Sequence, residues 1–490
     1  MQFKGKTVIA FVLVTMVASV LVTLTVADRL VALDSGGAAG KLVSGASAQH
    51  SLSKKEMEKM NAVLQLIETK YFREVDRSKV MDGAIAGMMS ALNDPYSVYM
   101  EETTARQFSE SIEGSFTGIG AEVALQDGRV TVVAPIKGSP AEQAGVLAKD
   151  VLLSVNGESL DGLSLNEAVA KIRGPKGTKV KLTIQRAGIS EPVHLVLVRD
   201  DIDYETVYAE MRNDGIGVIE IRQFSLNTGE RFNEELERLE KQGMKGLVID
   251  VRNNPGGVLP VVVSVAQPFV AEGKPIVQVE DRSGKREKTL SKGKGKNYPV
   301  TVLMNKGSAS ASEVLAGALK EAGSAVLVGE TSFGKGTVQV SYDKALGDGS
   351  LVKMTIAKWL TPDGNWINET GIKPDVEVLP PEYYTVARMS KGKTLVRDTI
   401  SEDTRSLQIM LSALGYKVDR KDGYFSSTTE ESVRSFQKKE NLPVTGKVDK
   451  KTAEKVEETL IMYIRDHAND EQLNKAVEVT KEKLSGKKAS

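Results

Sequence analysis

The sequence predicts a multidomain α+β protein in which an α/β layered core follows a strand-rich module, with helical units at both ends. Three observations lead there. The chain has 490 residues, roughly three domains at about 150 residues each. Its apolar rhythm changes along the chain from helical spacing to alternation, then to a mixture, then back to helical spacing. Between residues 203 and 385, strand-like runs (GVIEIR, GLVIDV, VTVLMN, AVLVGE) alternate with helix-like runs (TGERFNEELERLEKQG, SEVLAGALKEAG), the order expected of an α/β layer.

Composition narrows the functions. Hydrophobic residues at 41% and charged residues at 27% exclude wholesale disorder. Lys+Arg and Asp+Glu both number 65, so there is no basic surplus to hold nucleic acid phosphates. The absence of cysteine excludes disulfides, thiol nucleophiles, iron–sulfur clusters and zinc thiolate sites. The 3 histidines, His50, His194 and His467, lie far apart, so a His-rich metal site is not expected. No metal or organic cofactor is implied.

Taken in order, residues 1–30 carry Lys4 and Lys6 ahead of a charge-free run, Thr7 to Ala27. As a helix this run spans about 30 Å, enough for a bilayer core. It is longer than the apolar stretch of a signal peptide, and Thr25-Val26-Ala27 is a poor cleavage site. A retained membrane anchor is favoured over a cleaved signal. In both cases the lysines stay inside and the body is translocated, placing a single-pass or secreted protein outside the cytoplasm. Residues 31–53 read as a flexible small-residue tether. In 54–105, Met57, Met60, Val63, Leu64 and Ile67 predict a helix with one buried face, and a second helix (GAIAGMMSAL) ends before Pro95. Residues 106–202 hold short strands (RVTVVAP, DVLLSVNG, KVKLTIQR) and two short helices (SPAEQAG, SLNEAVAKI). The basic stretch RSGKREKTLSKGKGK inside 203–385 reads as a solvated loop. Residues 400–465 form a small helical unit with Leu407, Leu411, Leu414, Val433 and Phe436 as its core, and 466–490 a charged tail, helical to about Leu484.

Three segments bear chemistry. In KGSASASEVLAGALKEAG, Ser310 stands three residues before Glu313 at a helix start. The segment alone supports a capping box at least as well as a nucleophile facing exposed helix amides. In AVLVGETSFGKGTVQVSY, Gly329, Gly334 and Lys335 imitate a phosphate-binding loop. Gly336 stands where that loop needs Ser or Thr, and a strand pattern follows where it needs a helix. Lys335 and Gln339, four apart, share a face if both lie on the strand. An apolar pocket would lower the lysine pKa and let it act as a base, against the plainer reading of an exposed lysine in a glycine turn. In GLVIDVRNNPGG, a buried strand runs into a turn whose glycines free backbone amides to meet a ligand, as an oxyanion hole or as a plain turn. With no histidine nearby and no G-x-S-x-G elbow at Ser310, a serine–lysine dyad remains of the acyl-transfer templates.

The wording and order of VIDVRNNPGG, SASASEVLAGAL and VGETSFGKGTVQ resemble the carboxy-terminal processing peptidases, tail-specific serine–lysine proteases of peptidase family S41, over most of the chain from Met57 to Val378. The resemblance implies a crotonase/Clp-like α/β serine protease core. It implies that Ser310, rather than Ser308 or Ser312, is the nucleophile, with Lys335 the base and Gln339 its support. The oxyanion donors it implies are the amide of Ala311 and a glycine of the turn, Gly257 preferred over Gly256. The segment SFTGIGAEV with APIKGSPAEQAGVLAKDVLLSVNG resembles an inserted PDZ β-barrel-like domain. Thr117, Gly118, Ile119 and Gly120 would capture a terminal carboxylate there, and the adjacent strand edge would accept a peptide. Arg173 is a candidate contact between this module and the core. The segment Leu407 to Thr452 resembles a three-helix peptidoglycan-binding domain; its Asp422-Gly423 loop mimics a calcium loop without the needed carboxylates. A helical dimerisation element is the other reading of this unit. The expected partners are peptide substrates with free C-termini, peptidoglycan, a membrane through the N-terminal segment and a second copy of the chain, with no nucleic acid. The rival overall reading is a non-catalytic PDZ and wall-binding scaffold, against which the intact Ser310, Lys335 and Gln339 set argues.

Overall fold

In this computed structural model, residues 51–136, 138–390 and 392–486 are described. The apolar run Thr7–Ala27, His50 and most of the tether lie outside them. Among the described residues no helix is long and apolar enough to cross a membrane. Two compact units divide the chain: one holds the described residues up to Arg106 together with Gln339–Thr355, the other Gln107–Val338 and the described residues from Ile356 onward.

The first unit begins with helix α1 (Lys54–Lys70). Ser53 caps it: the Ser53 hydroxyl accepts from the Glu56 N–H at 3.3 Å, and the Glu56 carboxylate accepts from the Ser53 N–H at 2.7 Å. The face predicted to be buried is not. Met57, Met60 and Val63 remain 48%, 39% and 51% exposed, and α1 has no buried residue. Apolar periodicity identifies a stripe that profits from cover; it does not say that the same chain supplies it. Helix α2 (Arg77–Ser90) is capped by Asp76 and ends ahead of Pro95 as predicted. Strand β1 (Val98–Met100) pairs antiparallel with Leu351–Lys353, and the Tyr99 hydroxyl donates to Asp82 on α2 at 2.6 Å.

Helix α3 (Glu102–Glu113) leads into the strand-rich module of the second unit. Strand β2 (Ser115–Gly118) pairs with β9 (Asp200–Asp203), so the module's two ends meet. Between them, β3 (Ala121–Gln126), β4 (Arg129–Pro135), β5 (Val151–Val155), β7 (Lys179–Gln185) and β8 (Val193–Val198) form a sheet in that order, with β6 (Glu158–Ser159) on β5. Helices α4 (Pro140–Gln143) and α5 (Leu165–Ile172) accompany it. Val132, Leu152, Ile172, Val180, Leu182 and Ile184 fill its own core.

The layered core follows. Its sheet has the order β10 (Val207–Met211), β11 (Ile216–Ile221), β12 (Gly246–Asp250), β15 (Val300–Met304), β16 (Val326–Gly329), β19 (Val376–Glu377). Only β10 is antiparallel to its neighbour. Side chains alternate between two covered faces, which is why the strands read as continuous apolar runs. Leu247, Ile249, Val302 and Met304 face the helices α6 (Thr228–Lys241), α7 (Leu259–Ala266) and α8 (Ala311–Glu321). Strands β13 (Pro275–Asp281) and β14 (Arg286–Leu290) pair with each other, and β13 also pairs with the last residues of β18 (Leu351–Leu360), the strand that follows β17 (Thr337–Tyr342).

Helices α9 (Glu402–Ala413), α10 (Ser427–Lys439) and α11 (Lys450–Arg465) pack around Leu407, Leu411, Val433 and Phe436. The Asp422 carboxylate is held by Arg420 at 2.6 Å. Beyond them the sequence reading set 466–490 apart as a charged tail. The expected helix is present, as α12 (Glu471–Leu484), but it is not a separate tail: its Leu473, Ala476, Val477 and Val479 are buried against Ile216, Val218, Val248 and Leu303 on the sheet's second face. The high charge of its outer face masks a four-residue apolar stripe. Val477→Asp would put an unpaired carboxylate there, and is expected to lower stability by about 3–5 kcal/mol, measured by urea unfolding; an unchanged midpoint would show that α12 is not part of the cooperative fold.

Candidate active site

Three neighbouring parallel strands, β12, β15 and β16, are in register at their carboxyl ends. Asp250 lies opposite Leu303, and Met304 opposite Gly329. The loops that leave those ends therefore emerge together, as ligand-binding loops of parallel α/β sheets do. They are the three segments singled out from the sequence.

The loop after β15 carries Ser308, Ser310 and Ser312. Ser308 and Ser312 are buried, and their hydroxyls donate to the carbonyls of Val251 at 2.7 Å and Asn254 at 2.9 Å. Both fasten this loop to the turn after β12. Ser310 is half-buried between them, with φ 53° and ψ −111°, a conformation that is costly for a residue with a Cβ. The Glu313 N–H bonds to the Ser310 carbonyl at 2.8 Å, and Glu313 Oε2 accepts from the Ser310 N–H at 2.8 Å.

The turn after β12 presses on Ser310. A Cβ on Gly256 would come within 2.9 Å of Ser310 Cβ, and one on Gly257 within 2.2 Å of the Phe224 carbonyl oxygen. Both glycines have positive φ, 104° and 147°. Buried Asn254 organises the turn: its Oδ1 accepts from the Gly256 N–H at 2.9 Å, its Nδ2 donates to Ile221 at 2.8 Å, and its carbonyl takes the Ala309 N–H at 3.0 Å. The Gly256 N–H is thus already engaged, which removes it as a donor to a ligand and leaves Gly257 of the two. Ala311 opens α8, where a helix leaves its first N–H groups without intrahelical partners.

The loop after β16 reaches the same place through Glu313. This carboxylate is buried, yet it accepts from Ser332 Oγ at 2.6 Å, the Gly334 N–H at 2.6 Å and the Lys335 N–H at 2.9 Å, besides Ser310. One carboxylate therefore holds the backbone of Ser310 and the backbone of Lys335. Both tryptophans of the chain hold the other side of the lysine turn: Trp359 donates to the Lys335 carbonyl and Trp366 to the Gly336 carbonyl, each at 2.9 Å. A Cβ on Gly336 would fall 2.7 Å from the Trp366 indole nitrogen, so Ser or Thr has no room where a phosphate loop needs it. Lys335 itself is half-buried and lies in the turn, two residues before β17 begins. The shared-strand reading of Lys335 and Gln339 is therefore corrected: only Gln339 is on the strand. It belongs to the first unit, where its Nε2 donates to Thr355 Oγ1 at 3.1 Å.

Just before the Asn-Asn-Pro turn, Arg252 lies half-buried between two buried carboxylates. Its guanidinium reaches Asp250 at 2.7 Å and Asp470, the N-cap of α12, at 2.6 Å. Burial pushes the Asp250 carboxyl up, with Arg252 opposing; Asp470, also desolvated, is nevertheless held below its ordinary value by Arg252.

In the strand-rich module, Gly118, Ile119 and Gly120 line a cavity of about 530 Å³ between β3 and α5. Its wall also includes Val169, Ile172, Arg173 and the core's Tyr204 and Tyr208. Thr117 Oγ1 donates to Asp201 at 3.0 Å. Arg173 donates to Glu110 on α3 at 2.5 Å and stacks 4.9 Å above the Phe116 ring, itself 5.0 Å from Tyr204. Burial pushes the Tyr204 phenol up, Arg173 opposing. Sequence reasoning had treated Glu313 only as a helix cap and had missed Asn254, Arg252 and the tryptophan clamps. The capping-box spacing was the signal for Glu313, and adjacency to the glycine turn that for Arg252 and Asn254; the tryptophans reach the lysine turn from 24 and 30 residues away and left no local signal.

A constrained serine at a helix start thus lies beside an amide-rich turn and is tied through Glu313 to a lysine turn. Known protein families match four stretches of the chain. Residues 215–378 match Peptidase family S41, 131–186 a PDZ domain, 401–456 a peptidoglycan binding domain and 27–104 the activating protease CtpB N-terminal domain. The chain is 45% identical over 427 residues to carboxy-terminal processing protease CtpB of Bacillus subtilis, covering 86% of this chain and 88% of that one. It is 42% identical over 466 residues to CtpA of the same organism, covering 95% and 98%. Among solved structures, the photosystem II D1 C-terminal processing protease is 32% identical with a TM-score of 0.39, covering 65% of this chain and 86% of that one. The chain belongs to peptidase family S41 and is a serine protease of the carboxy-terminal processing group.

Glu313→Gln would turn amide hydrogens toward donors that now meet oxygen. Turnover of a peptide substrate is expected to fall about a hundredfold with KM little changed; wild-type turnover in the folded variant would refute the joining role of Glu313.

Proposed function

We propose that this protease cleaves peptide bonds by a Ser310–Lys335 mechanism, supported by Gln339. The observation that carries the proposal is the Glu313 carboxylate, which accepts from the amides of both Ser310 and Lys335. The neutral amine of Lys335 takes the proton of Ser310 as its Oγ attacks the substrate carbonyl carbon. The oxyanion forms against the amides of Gly257 and Ala311. Collapse breaks the C–N bond, the Lys335 ammonium protonates the leaving amine, and an acyl-enzyme remains. Water, deprotonated by Lys335, attacks the ester; collapse returns the proton to Ser310 and releases the new carboxylate. Ser310→Ala and Lys335→Ala are each expected to lower kcat by about a thousandfold or more, and wild-type activity to rise with pH as Lys335 deprotonates. Equal cleavage by all three proteins, or a flat pH profile, would overturn the assignment.

The PDZ domain implies peptide binding. We assign the recognised feature as a free C-terminus, with Thr117 to Gly120 around the carboxylate and the apolar cavity wall beside the terminal side chains. Because Tyr204 and Tyr208 of the core share that wall, a bound tail touches core and module at once, which supports gating through Arg173. Amidation of a substrate's C-terminus is expected to slow cleavage about tenfold or more, since one buried charge-assisted contact is lost; an unchanged rate would exclude tail recognition.

The remaining proposals concern place and partners. The apolar run Thr7–Ala27 behind Lys4 and Lys6 supports a membrane anchor with an extracytoplasmic body, and the C-terminal helical domain fits peptidoglycan. The uncovered stripe Met57, Met60, Val63 and Leu66 on α1 supports a homodimer. Met60→Asp is expected to shift the sedimentation coefficient of the purified chain from dimer to monomer; a monomeric wild type would remove this proposal.

A further inference from the structure

Helix α12 covers the second face of the catalytic sheet, and it runs antiparallel to the strands. At one end Thr480 meets the starts of β12 and β15: its hydroxyl donates to Thr301 Oγ1 at 2.8 Å, and a Cβ on Gly246 would lie 2.7 Å from its methyl group. At the other end Asp470 reaches the carboxyl end of β12, where the oxyanion turn begins. The contact there is dense. Arg252 Nη2 donates to Asp470 Oδ2 at 2.6 Å and to Asp250 Oδ2 at 2.7 Å. Its Nη1 donates to Asp470 Oδ1 at 3.0 Å and Gln472 Oε1 at 3.2 Å, and its Nε to both Asp250 oxygens at 3.1 and 3.0 Å. The Arg252 N–H bonds to Asp250 Oδ1 at 2.9 Å, so backbone and side chain of this residue are both fixed. Asp470 Oδ1 also accepts from the Leu473 N–H at 3.0 Å, which makes one carboxylate both the helix cap and the anchor of Arg252. Gln472 Nε2 completes the cluster with a 2.7 Å bond to the Val378 carbonyl at the end of the core.

The next residues are Asn253, with φ 56°, Asn254, Pro255, Gly256 and Gly257. From Arg252 onward the turn has further anchors: Asn254 from within, Asn253 paired with Asn305, the hydroxyls of Ser308 and Ser312, and Phe224, whose N–H donates to the Gly256 carbonyl at 3.0 Å; Arg252 fixes the end at which the chain leaves β12. An arginine held between two buried carboxylates resists displacement, because its loss leaves their charge uncompensated in the interior. A donor displaced by a fraction of an ångström loses much of its effect on a developing oxyanion.

We propose that Asp470 and Arg252 are positioning residues for the oxyanion turn, so that the ion pair at the N-cap of α12, rather than the packing of that helix's apolar stripe, sets the placement of the Gly257 amide. The inference rests on the reading of Gly257 as an oxyanion donor. It extends that reading by making the N-terminal end of α12, which follows the peptidoglycan-binding-type domain, part of the catalytic geometry.

The test uses the full-length chain and an internally quenched peptide with an apolar, free C-terminus. Asp470→Asn and Arg252→Gln are each expected to lower kcat between about tenfold and a hundredfold with KM within about threefold of wild type. Affinity for a peptide aldehyde, which forms an oxyanion on Ser310, is expected to fall in proportion to kcat/KM. The double variant should be no worse than the poorer single one, because both remove the same bridge. Val477→Ala, which loosens α12 without touching the bridge, is the control and should retain wild-type kcat at a temperature where every variant is folded by circular dichroism. If Asp470→Asn and Val477→Ala lose the same fraction of kcat, or if folded Asp470→Asn keeps wild-type kcat and aldehyde affinity, the inference is overturned. Ser310→Ala separates the two levels: activity that survives it removes the underlying mechanism, whereas its loss alongside unaffected bridge variants removes only the role of α12.

Discussion

The site depends on a buried carboxylate that belongs to neither loop it joins by function. Glu313 sits one turn into α8, wholly buried, and meets hydrogen-bond donors from the backbone of Ser310, Gly334 and Lys335 and from the hydroxyl of Ser332. A buried anion is tolerated only when its lone pairs are filled, and here they are filled by the two segments that must be brought together. The same charge at a helix N-terminus is favoured by the helix dipole. Desolvation cost, cap and assembly of the site are therefore resolved at one residue.

This arrangement explains the strain at Ser310. Its left-handed backbone would relax if the loop were loose, but Asn254, Ser308, Ser312 and Glu313 fix the residues on both sides. The two glycines of the opposing turn leave room for it, since a side chain at Gly256 would collide with Ser310 itself. The lysine turn is held in a comparable manner by two indole N–H groups on consecutive carbonyls. Rigid loops on rigid strand ends hold such groups in place without reorganisation.

Much of this was legible in the sequence where the information is local. The alternation of strands and helices gave the layered core, and the three motifs at strand ends gave the loops that meet. Ser310 and Lys335 stood out because each sits in a short pattern of small residues, but the resemblance to the S41 peptidases, not the pattern, selected Ser310 over Ser308 and Ser312 and gave both residues their expected roles. What was not legible arises from contacts between distant segments. Glu313 looked like a cap because its bonds to Ser332, Gly334 and Lys335 cross about twenty residues of chain. Lys335 and Gln339 looked like strand neighbours because parity does not reveal that the Gly334 turn delays the start of β17. Residues 466–490 read as a charged tail with a helix to about Leu484, but its docking on the sheet was hidden, because one apolar stripe among lysines and glutamates leaves the composition of a charged tail. For α1 the helix was read correctly, but the face expected to be buried is exposed.

Acid quenching of the reaction with a peptide ester substrate, followed by peptide mapping in a mass spectrometer, tests the account most directly. The substrate's acyl group should be found on Ser310 in the wild type and should be lost or strongly reduced in both Lys335→Ala and Glu313→Gln. An acyl group on another residue, or undiminished labelling of Ser310 in those two folded variants, would contradict it.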